Sequence, residues 1–195
     1  MNLANKITLA RIFLVPIIMF FLLVKVPFPQ IEVEQFSITY NQIIAVLIFI
    51  VAASTDSLDG YIARKQKLVT NLGKLLDPLA DKLLVTAVLV SLVDMGKLDA
   101  WIAIVIISRE FAVTGLRQVA LLEGVVMAAS KLGKWKTGTQ ITAIIALLLN
   151  NFPFTFIDFR FDLFASWVAA IITIYSGIDY FVKNKHIIPI SDNGR

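Results

Sequence analysis

Long apolar runs alternate with short polar segments along the whole chain. Six apolar stretches are long enough, or nearly so, for the roughly 20 residues that a helix needs to cross a hydrocarbon core. They cover residues 7–24, 42–63, 75–93, 100–122, 137–149 and 163–182. The fifth is short, so its helix is predicted either to extend back through Lys134 or to tilt little. The pattern predicts an all-α polytopic membrane protein with six transmembrane helices.

The composition supports the membrane class. Of the 195 residues, 58% are hydrophobic, and the mean hydropathy is +0.81. Soluble domains are only about 45–50% apolar. The chain has no cysteine, which excludes disulfides, thiolate metal sites and thiol nucleophiles. No repeat, linker or low-complexity tract divides it, so residues 1–195 are expected to form a single domain.

The N-terminal segment "NLANKITLARIFLVP" has a mixed pattern. Leu3, Ile7, Ala10 and Leu14 share one helical face, while polar residues interrupt the others. This pattern is typical of a helix in the membrane interface. We therefore consider a short interfacial helix before the first span.

Basic residues indicate the orientation of the spans. If the six spans alternate in direction, most lysines and arginines outside them fall on one side. Positive residues accumulate in cytoplasmic loops. Both termini are therefore predicted to be cytoplasmic, in the cell membrane. The net charge of +4 follows from this bias and does not require a nucleic-acid partner.

Four aspartates lie where the second and third spans approach each other. Asp56 and Asp59 are three residues apart, and Asp77 and Asp81 are four apart, so each pair shares a helical face. A short basic turn joins the two helices, which places both pairs at similar depth. Clustered carboxylates repel strongly at low dielectric constant. A bound cation is therefore expected among them.

The donor types narrow the choice of cation. Carboxylate oxygens suit magnesium, manganese or calcium, whereas the absence of cysteine and a remote His186 argue against zinc or copper. Magnesium binds well where carboxylates and substrate phosphates share it, so the cluster suggests phosphate chemistry. An ion-pair network or a solvated face is the structural alternative, but intramembrane ionisable groups are usually functional.

Small residues accompany the aspartates. Gly60, Ala63 and Gly73 would let a planar or diphosphate ligand approach the backbone, and they could equally serve helix packing. The complete pattern is Asp56-x2-Asp59-Gly60-x2-Ala63-Arg64-x8-Gly73-x3-Asp77-x3-Asp81. It resembles the signature of the CDP-alcohol phosphotransferase (phosphatidyltransferase) family. The resemblance implies an enzyme that moves a substituted phosphate from a CDP-linked donor to an alcohol and releases CMP.

The resemblance also implies roles for individual residues. Asp56, Asp59 and Asp77 would be ligands of Mg²⁺ or Mn²⁺, with two ions expected. Asp81 would be the general base, and its contact to a second ion is left open. The donor would be bound by Gly60, Ala63, Arg64, Thr70 and Gly73. Because Pro78 disfavours helical geometry at the residue before it, Asp77 is expected either to cap a helix or to mark a kink.

A second group of charges interrupts the fourth apolar stretch, in "SREFAVTGLRQ". Arg109 and Arg117 lie about 80° apart on a helical wheel, so both could border one pocket. The planar guanidinium matches phosphate oxygens in a bidentate manner. An anionic alcohol is therefore the expected acceptor. Glu110 either orients an arginine or simply pairs with one in a buried bridge.

Shorter motifs resemble the phosphatidylglycerophosphate synthase branch of the family. They are the Arg-Glu pair, the later Leu116-Arg117, the turn "GKWKT" and the N-terminal Asn5-x2-Thr8-x2-Arg11. This resemblance implies sn-glycerol 3-phosphate as acceptor, bound by Arg109, Arg117 and Lys134 or Lys136. Its donor would be CDP-diacylglycerol, with the N-terminal residues helping to enclose the headgroup. A homodimer in contact with membrane lipid is also implied.

Three alternatives stay open at this point. The acceptor could be phosphatidylglycerol, inositol phosphate or serine. A cation transporter also uses intramembrane aspartates, although it usually places them near the midplane in repeated halves. A lipid-binding protein without catalytic activity is the third alternative.

Overall fold

The computed structural model describes residues 3–24, 28–33, 36–66, 71–122, 124 and 131–184. For residues 3–6, 56–66, 71–78, 81, 122 and 131 only the backbone is described. These described residues form six α-helices in chain order: α1 (Leu3–Leu23), α2 (Tyr40–Gln66), α3 (Asn71–Asp94), α4 (Ala100–Leu122), α5 (Lys131–Leu148) and α6 (Phe161–Lys183). Strands β1 (Gln30–Val33) and β2 (Phe36–Thr39) form an antiparallel hairpin between α1 and α2. A short 3-10 helix, Phe154–Ile157, precedes α6.

The helices coincide with the six apolar stretches. The backward extension of the fifth is confirmed, because α5 begins at Lys131. The N-terminal interfacial helix is not a separate element, because α1 continues without interruption across Pro16. The backbone of α3 is helical on both sides of Pro78, so Asp77 does not cap a helix that begins there.

The bundle is organised around two sets of contacts. Helix α1 packs against both α2 and α3, while α6 packs against α4 and α5. The largest apolar cluster has members on all six of the helices named above. Its fully buried members include Ile18, Phe49, Leu84, Val88, Leu92, Ile102, Ile144, Leu148 and Ala170. Such interdigitated side chains gain dispersion energy in lipid as well as in water.

Large apolar side chains also cover the outside of the bundle. Examples on four helices are Phe13, Leu47, Ile104 and Ile178, each more than half exposed. Helices that are apolar on the outer face as well as the inner one are typical of membrane proteins. Within the described residues, α6 meets the length and composition of a membrane-crossing helix, and shorter apolar helical stretches occupy Ile7–Leu23 and Tyr40–Thr55.

A polar network closes the end of the bundle where α4 and α6 begin. The Lys97 ammonium, in the turn after α3, donates to the Asn150 Oδ1. The Asn150 amide donates to the Ser37 carbonyl at 2.6 Å, which ties the hairpin to the loop before α6. Arg160 and Asp162 form two hydrogen bonds of 3.0 Å. These contacts hold the turns at this end together.

Lys97 gives this end a testable pH dependence. Burial lowers the pKa of Lys97 from 10.5 to about 8, although the Asp162 carboxylate raises it in part. Between these two pKa values, Lys97 is more fully protonated in the unfolded chain than in the folded protein. The contribution of Lys97 to the free energy of unfolding should therefore increase as the pH rises from 8 to 10, and it should stay constant below pH 8. Thermal unfolding of the protein and of Lys97→Met in detergent measures this difference. A difference between the two midpoints that is independent of pH above 8 would contradict the assignment.

Candidate active site

One polar cleft collects the charged residues of the fourth apolar stretch. It has a volume of about 510 Å³, and its walls come from α3, α4, α5 and α6. Arg109, Glu110 and Arg117 enter it from α4, and Lys134 and Lys136 enter it from α5. All the residues predicted to hold the acceptor phosphate therefore line the same cleft.

Glu110 is the central carboxylate of this cleft. Its Oε1 accepts a hydrogen bond from the Lys136 ammonium and lies 3.3 Å from the Arg109 Nη1. The side chains of Glu110, Arg109 and Lys136 are 19%, 13% and 5% exposed, respectively. Charges at such burial need close opposite charges. Glu110 thus pairs with an arginine, as predicted, and also ties α4 to α5.

Both arginines are held by α6. The Arg109 Nη2 donates to the Ser176 Oγ at 2.7 Å, and the Arg117 Nε donates to the Tyr180 hydroxyl at 2.9 Å. The Arg117 guanidinium also lies 5.5 Å from the centre of the Tyr180 ring, within the range of a cation–π contact. Neither Ser176 nor Tyr180 was predicted from the sequence. Their signal was the polar positions that recur at helical spacing in the last apolar stretch.

The two predicted lysines differ in environment. Lys136 is buried and paired, whereas Lys134 is exposed at the edge of the cleft. Lys82 of α3, which follows Asp81 in the chain, also lines the cleft. It connects the arginine cluster to the helix that carries Asp77 and Asp81.

The cleft continues inward as a smaller cavity of about 190 Å³. The two share Lys82, Glu110 and Lys136, and the inner cavity adds the buried Gln140 and Phe49 of α2. Polar and apolar side chains therefore both reach its wall. Through this inner cavity, the space between α3, α4 and α5 reaches α2.

An apolar groove adjoins the cleft. The groove lies between α5 and α6, has a volume of about 490 Å³ and is mostly apolar. Trp135, Thr142 and Phe164 line it, and Lys134 and Gly138 line both the groove and the cleft. A single strip of α5 therefore separates a polar space from an apolar one.

The N-terminal residues predicted to face the donor are buried. Thr8 and Arg11 of α1 are 0% and 1% exposed, on a helix that packs against α2 and α3. The side chain of Asn5 lies outside the described residues. An arginine buried to this extent points into the bundle and not to lipid.

The helix bounds locate the backbone of the four aspartates. Asp59 and Asp77 lie about two turns from the end of α2 and the beginning of α3, respectively. The side chains of Asp56, Asp59, Asp77 and Asp81 lie outside the described ones, as do those of Ala63 and Arg64. Of the predicted donor-binding glycines, Gly60 and Gly73 have described backbone only, and Thr70 lies outside the described residues.

The donor set fits a hard divalent cation. Among the side chains that the structure describes, no three histidine or acidic groups come close enough to hold a metal ion. The four aspartates of the sequence signature, whose backbone lies on α2 and α3, stay the predicted ligands. Carboxylates without any thiolate partner suit Mg²⁺ or Mn²⁺.

Comparison with known proteins identifies the family. The CDP-alcohol phosphatidyltransferase family profile matches residues 1–175. A Bacillus subtilis protein named CDP-diacylglycerol–glycerol-3-phosphate 3-phosphatidyltransferase is 52% identical over 98% of this chain and 99% of its own. Proteins of the same name from Haemophilus influenzae and Rickettsia bellii are 39% and 37% identical, each over 94% of this chain and over 94% and 96% of their own lengths. This chain belongs to the CDP-alcohol phosphatidyltransferase family.

Proposed function

We propose that this protein transfers the phosphatidyl group of CDP-diacylglycerol to sn-glycerol 3-phosphate, forming phosphatidylglycerophosphate and CMP. The observation that carries the proposal is the pair of α6-anchored arginines in one cleft with Lys136 and Glu110. The names of relatives that align over nearly the whole chain support the same reaction.

The charges of the cleft favour an anionic acceptor. The cleft is lined by the Glu110 carboxylate and by five basic side chains, namely Lys82, Arg109, Arg117, Lys134 and Lys136. A phosphate monoester near neutral pH carries a charge of about −1.5 to −2, so its binding would offset much of this excess of positive charge. A neutral or zwitterionic alcohol such as serine would leave the arginines without an anion in a low-dielectric site.

The chemical step requires removal of a proton from a weak nucleophile. An acceptor hydroxyl oxygen forms a bond to the phosphatidyl phosphorus, the bond from phosphorus to the CMP oxygen breaks, and Asp81 accepts the hydroxyl proton. Asp56, Asp59 and Asp77 would hold Mg²⁺ or Mn²⁺, which supplies positive charge to the diphosphate. Arg64, Thr70 and the small residues of the signature would contact the nucleotide, and Thr8 and Arg11 would enclose its headgroup.

The membrane arrangement is part of this proposal. Six membrane spans with cytoplasmic termini would place the aspartate end of the bundle at the cytoplasmic leaflet. The donor would keep its acyl chains in lipid while the water-soluble acceptor enters the polar cleft. We include a homodimer in the proposal because the family resemblance implies one.

The test is CMP release by the purified protein from CDP-diacylglycerol with Mg²⁺ or Mn²⁺. Glycerol 3-phosphate, inositol phosphate, serine and phosphatidylglycerol are compared as acceptors at equal ionic strength. Release with glycerol 3-phosphate alone is expected, and only with metal present. Preferential release with inositol phosphate or a neutral alcohol would keep the family chemistry and overturn the acceptor.

If the protein releases no CMP, two further measurements distinguish a transporter from a lipid-binding protein. Absence of CMP release with every acceptor, together with metal-dependent ion flux in proteoliposomes that lack CDP-lipid, would favour a transporter. Binding of CDP-diacylglycerol without release or flux would indicate a lipid-binding protein. Both outcomes would contradict the proposed reaction.

A further inference from the structure

The C-terminal half of α6 carries polar side chains on its buried face. Thr173, Ser176, Gly177 and Tyr180 follow helical spacing, and each of them is buried. The outer face of the same turns carries exposed apolar and aromatic residues, including Tyr175 at 62% exposure. Polar groups buried in a membrane helix require partners. Ser176 and Tyr180 accept hydrogen bonds from the two arginines of the cleft.

The hydrogen bond to α6 leaves a defined part of Arg117 for a ligand. Arg117 donates its Nε to Tyr180, and among the described residues its two terminal nitrogens have no hydrogen-bond partner. Those two nitrogens form the edge that binds phosphate oxygens in a bidentate manner. Arg109 is held more fully, by Glu110 on one terminal nitrogen and Ser176 on the other. The α6 contacts thus fix the direction in which each guanidinium points.

Gly177 makes room for this arrangement. A Cβ atom added at this position would lie 3.2 Å from the Arg109 Cγ, which is closer than an ordinary contact. The Cγ belongs to the stem of the side chain, so an alanine would displace Arg109 by a few tenths of an ångström. The glycine therefore sets the distance between Arg109 and α6.

We propose that Ser176, Gly177 and Tyr180 are positioning residues that orient Arg109 and Arg117 for the phosphate of the acceptor. A guanidinium held in place by a neighbouring helix loses less side-chain freedom on binding its ligand. The three residues therefore govern affinity for the acceptor and leave affinity for the CDP-lipid donor unchanged. This inference rests on the proposed function, since it concerns the same cleft.

The test measures the KM values of both substrates for Tyr180→Phe, Ser176→Ala and Gly177→Ala. Loss of a hydrogen bond to a charged group should raise the KM for glycerol 3-phosphate about 5-fold to 20-fold in Tyr180→Phe and about 3-fold to 10-fold in Ser176→Ala. Gly177→Ala should raise it by about 2-fold to 5-fold. The KM for CDP-diacylglycerol should change by less than about 2-fold in all three.

Two matched controls separate positioning from a general effect on α6. Tyr175→Phe makes the same chemical change on the outer face, and Ser166→Ala removes a hydroxyl that donates to the backbone of its own helix. Neither should alter the KM for the acceptor. Protection against thermal unfolding by glycerol 3-phosphate should weaken in Tyr180→Phe and Ser176→Ala and stay unchanged in the controls.

The outcomes distinguish this inference from the proposed function. If the unmodified protein releases CMP with glycerol 3-phosphate and Tyr180→Phe and Ser176→Ala leave both KM values unchanged, the positioning role is wrong and the function stands. Equal increases in both KM values would show a general structural effect and also overturn it. If the unmodified protein does not use glycerol 3-phosphate, the proposed function fails and the inference fails with it.

Discussion

Replacement of Asp81 by Asn is expected to lower metal-dependent CMP release by about two to four orders of magnitude, the usual contribution of general base catalysis. Asparagine has almost the same shape as aspartate, but it cannot accept the proton of the attacking hydroxyl. Asp77 and the α2 aspartates are retained, so binding of CDP-diacylglycerol should be largely kept. Initial rates of CMP release and equilibrium binding of the CDP-lipid in nanodiscs measure the two properties separately.

Asp179→Asn is the matched control for Asp81. Asp179 lies near the end of α6, where it forms an ion pair of 2.8 Å with Lys183, outside the cleft. The same chemical change there should leave turnover within about 2-fold, because an isolated pair near the surface contributes little. Unchanged turnover in Asp81→Asn would remove Asp81 from the role of base. Loss of turnover together with loss of donor binding would instead assign Asp81 mainly to the metal.

Replacement of Arg117 by Lys is also expected to have a large effect. It should lower kcat/KM for glycerol 3-phosphate by about 10-fold to 100-fold. Lysine keeps the positive charge, but it loses both the bidentate edge and the Nε bond to Tyr180. Arg109→Lys should behave similarly, because it cannot bridge Glu110 and Ser176 in the same geometry. Steady-state kinetics with each substrate varied in turn measures the effect, and the KM for CDP-diacylglycerol should change little.

Arg160→Lys provides the control for these substitutions. Arg160 lies at the opposite end of the bundle, where two hydrogen bonds join it to Asp162. Its side chain is 66% exposed, so the same loss of the guanidinium should have little effect on kinetics. Equal changes in the KM values of both substrates for Arg117→Lys would contradict the assignment of this arginine to the acceptor.

The arrangement of helices was largely predictable because hydrophobic length is a strong local signal in membrane proteins. All six apolar stretches correspond to helices, and α5 begins before its apolar part, at Lys131. The hairpin β1–β2 was not predicted. Its strands have only four residues each and contain several polar positions, so they carry a weak pattern. Whether each helix crosses a membrane stays a prediction.

The cleft was predictable only in part. Intramembrane arginines are costly enough to stand out in a sequence, and Arg109 and Arg117 do meet in one cleft with Lys136. Their partners are more than sixty residues away in the chain, so no local pattern identifies Ser176 or Tyr180 as the groups that bind them. The arrangement of the aspartate side chains and their metal stays a prediction from the sequence motif.

The strip of α5 shared by the polar cleft and the apolar groove has a consequence for inhibitor design. Lys134 and Gly138 border both spaces, and an additional Cβ at Gly138 would meet no atom within 4 Å. A compound with an anionic head and a single alkyl chain could therefore place the head near the arginines and the chain along α5 without displacing a buried side chain. Such a compound would take its selectivity from the charged cleft proposed for the acceptor and additional affinity from the apolar groove.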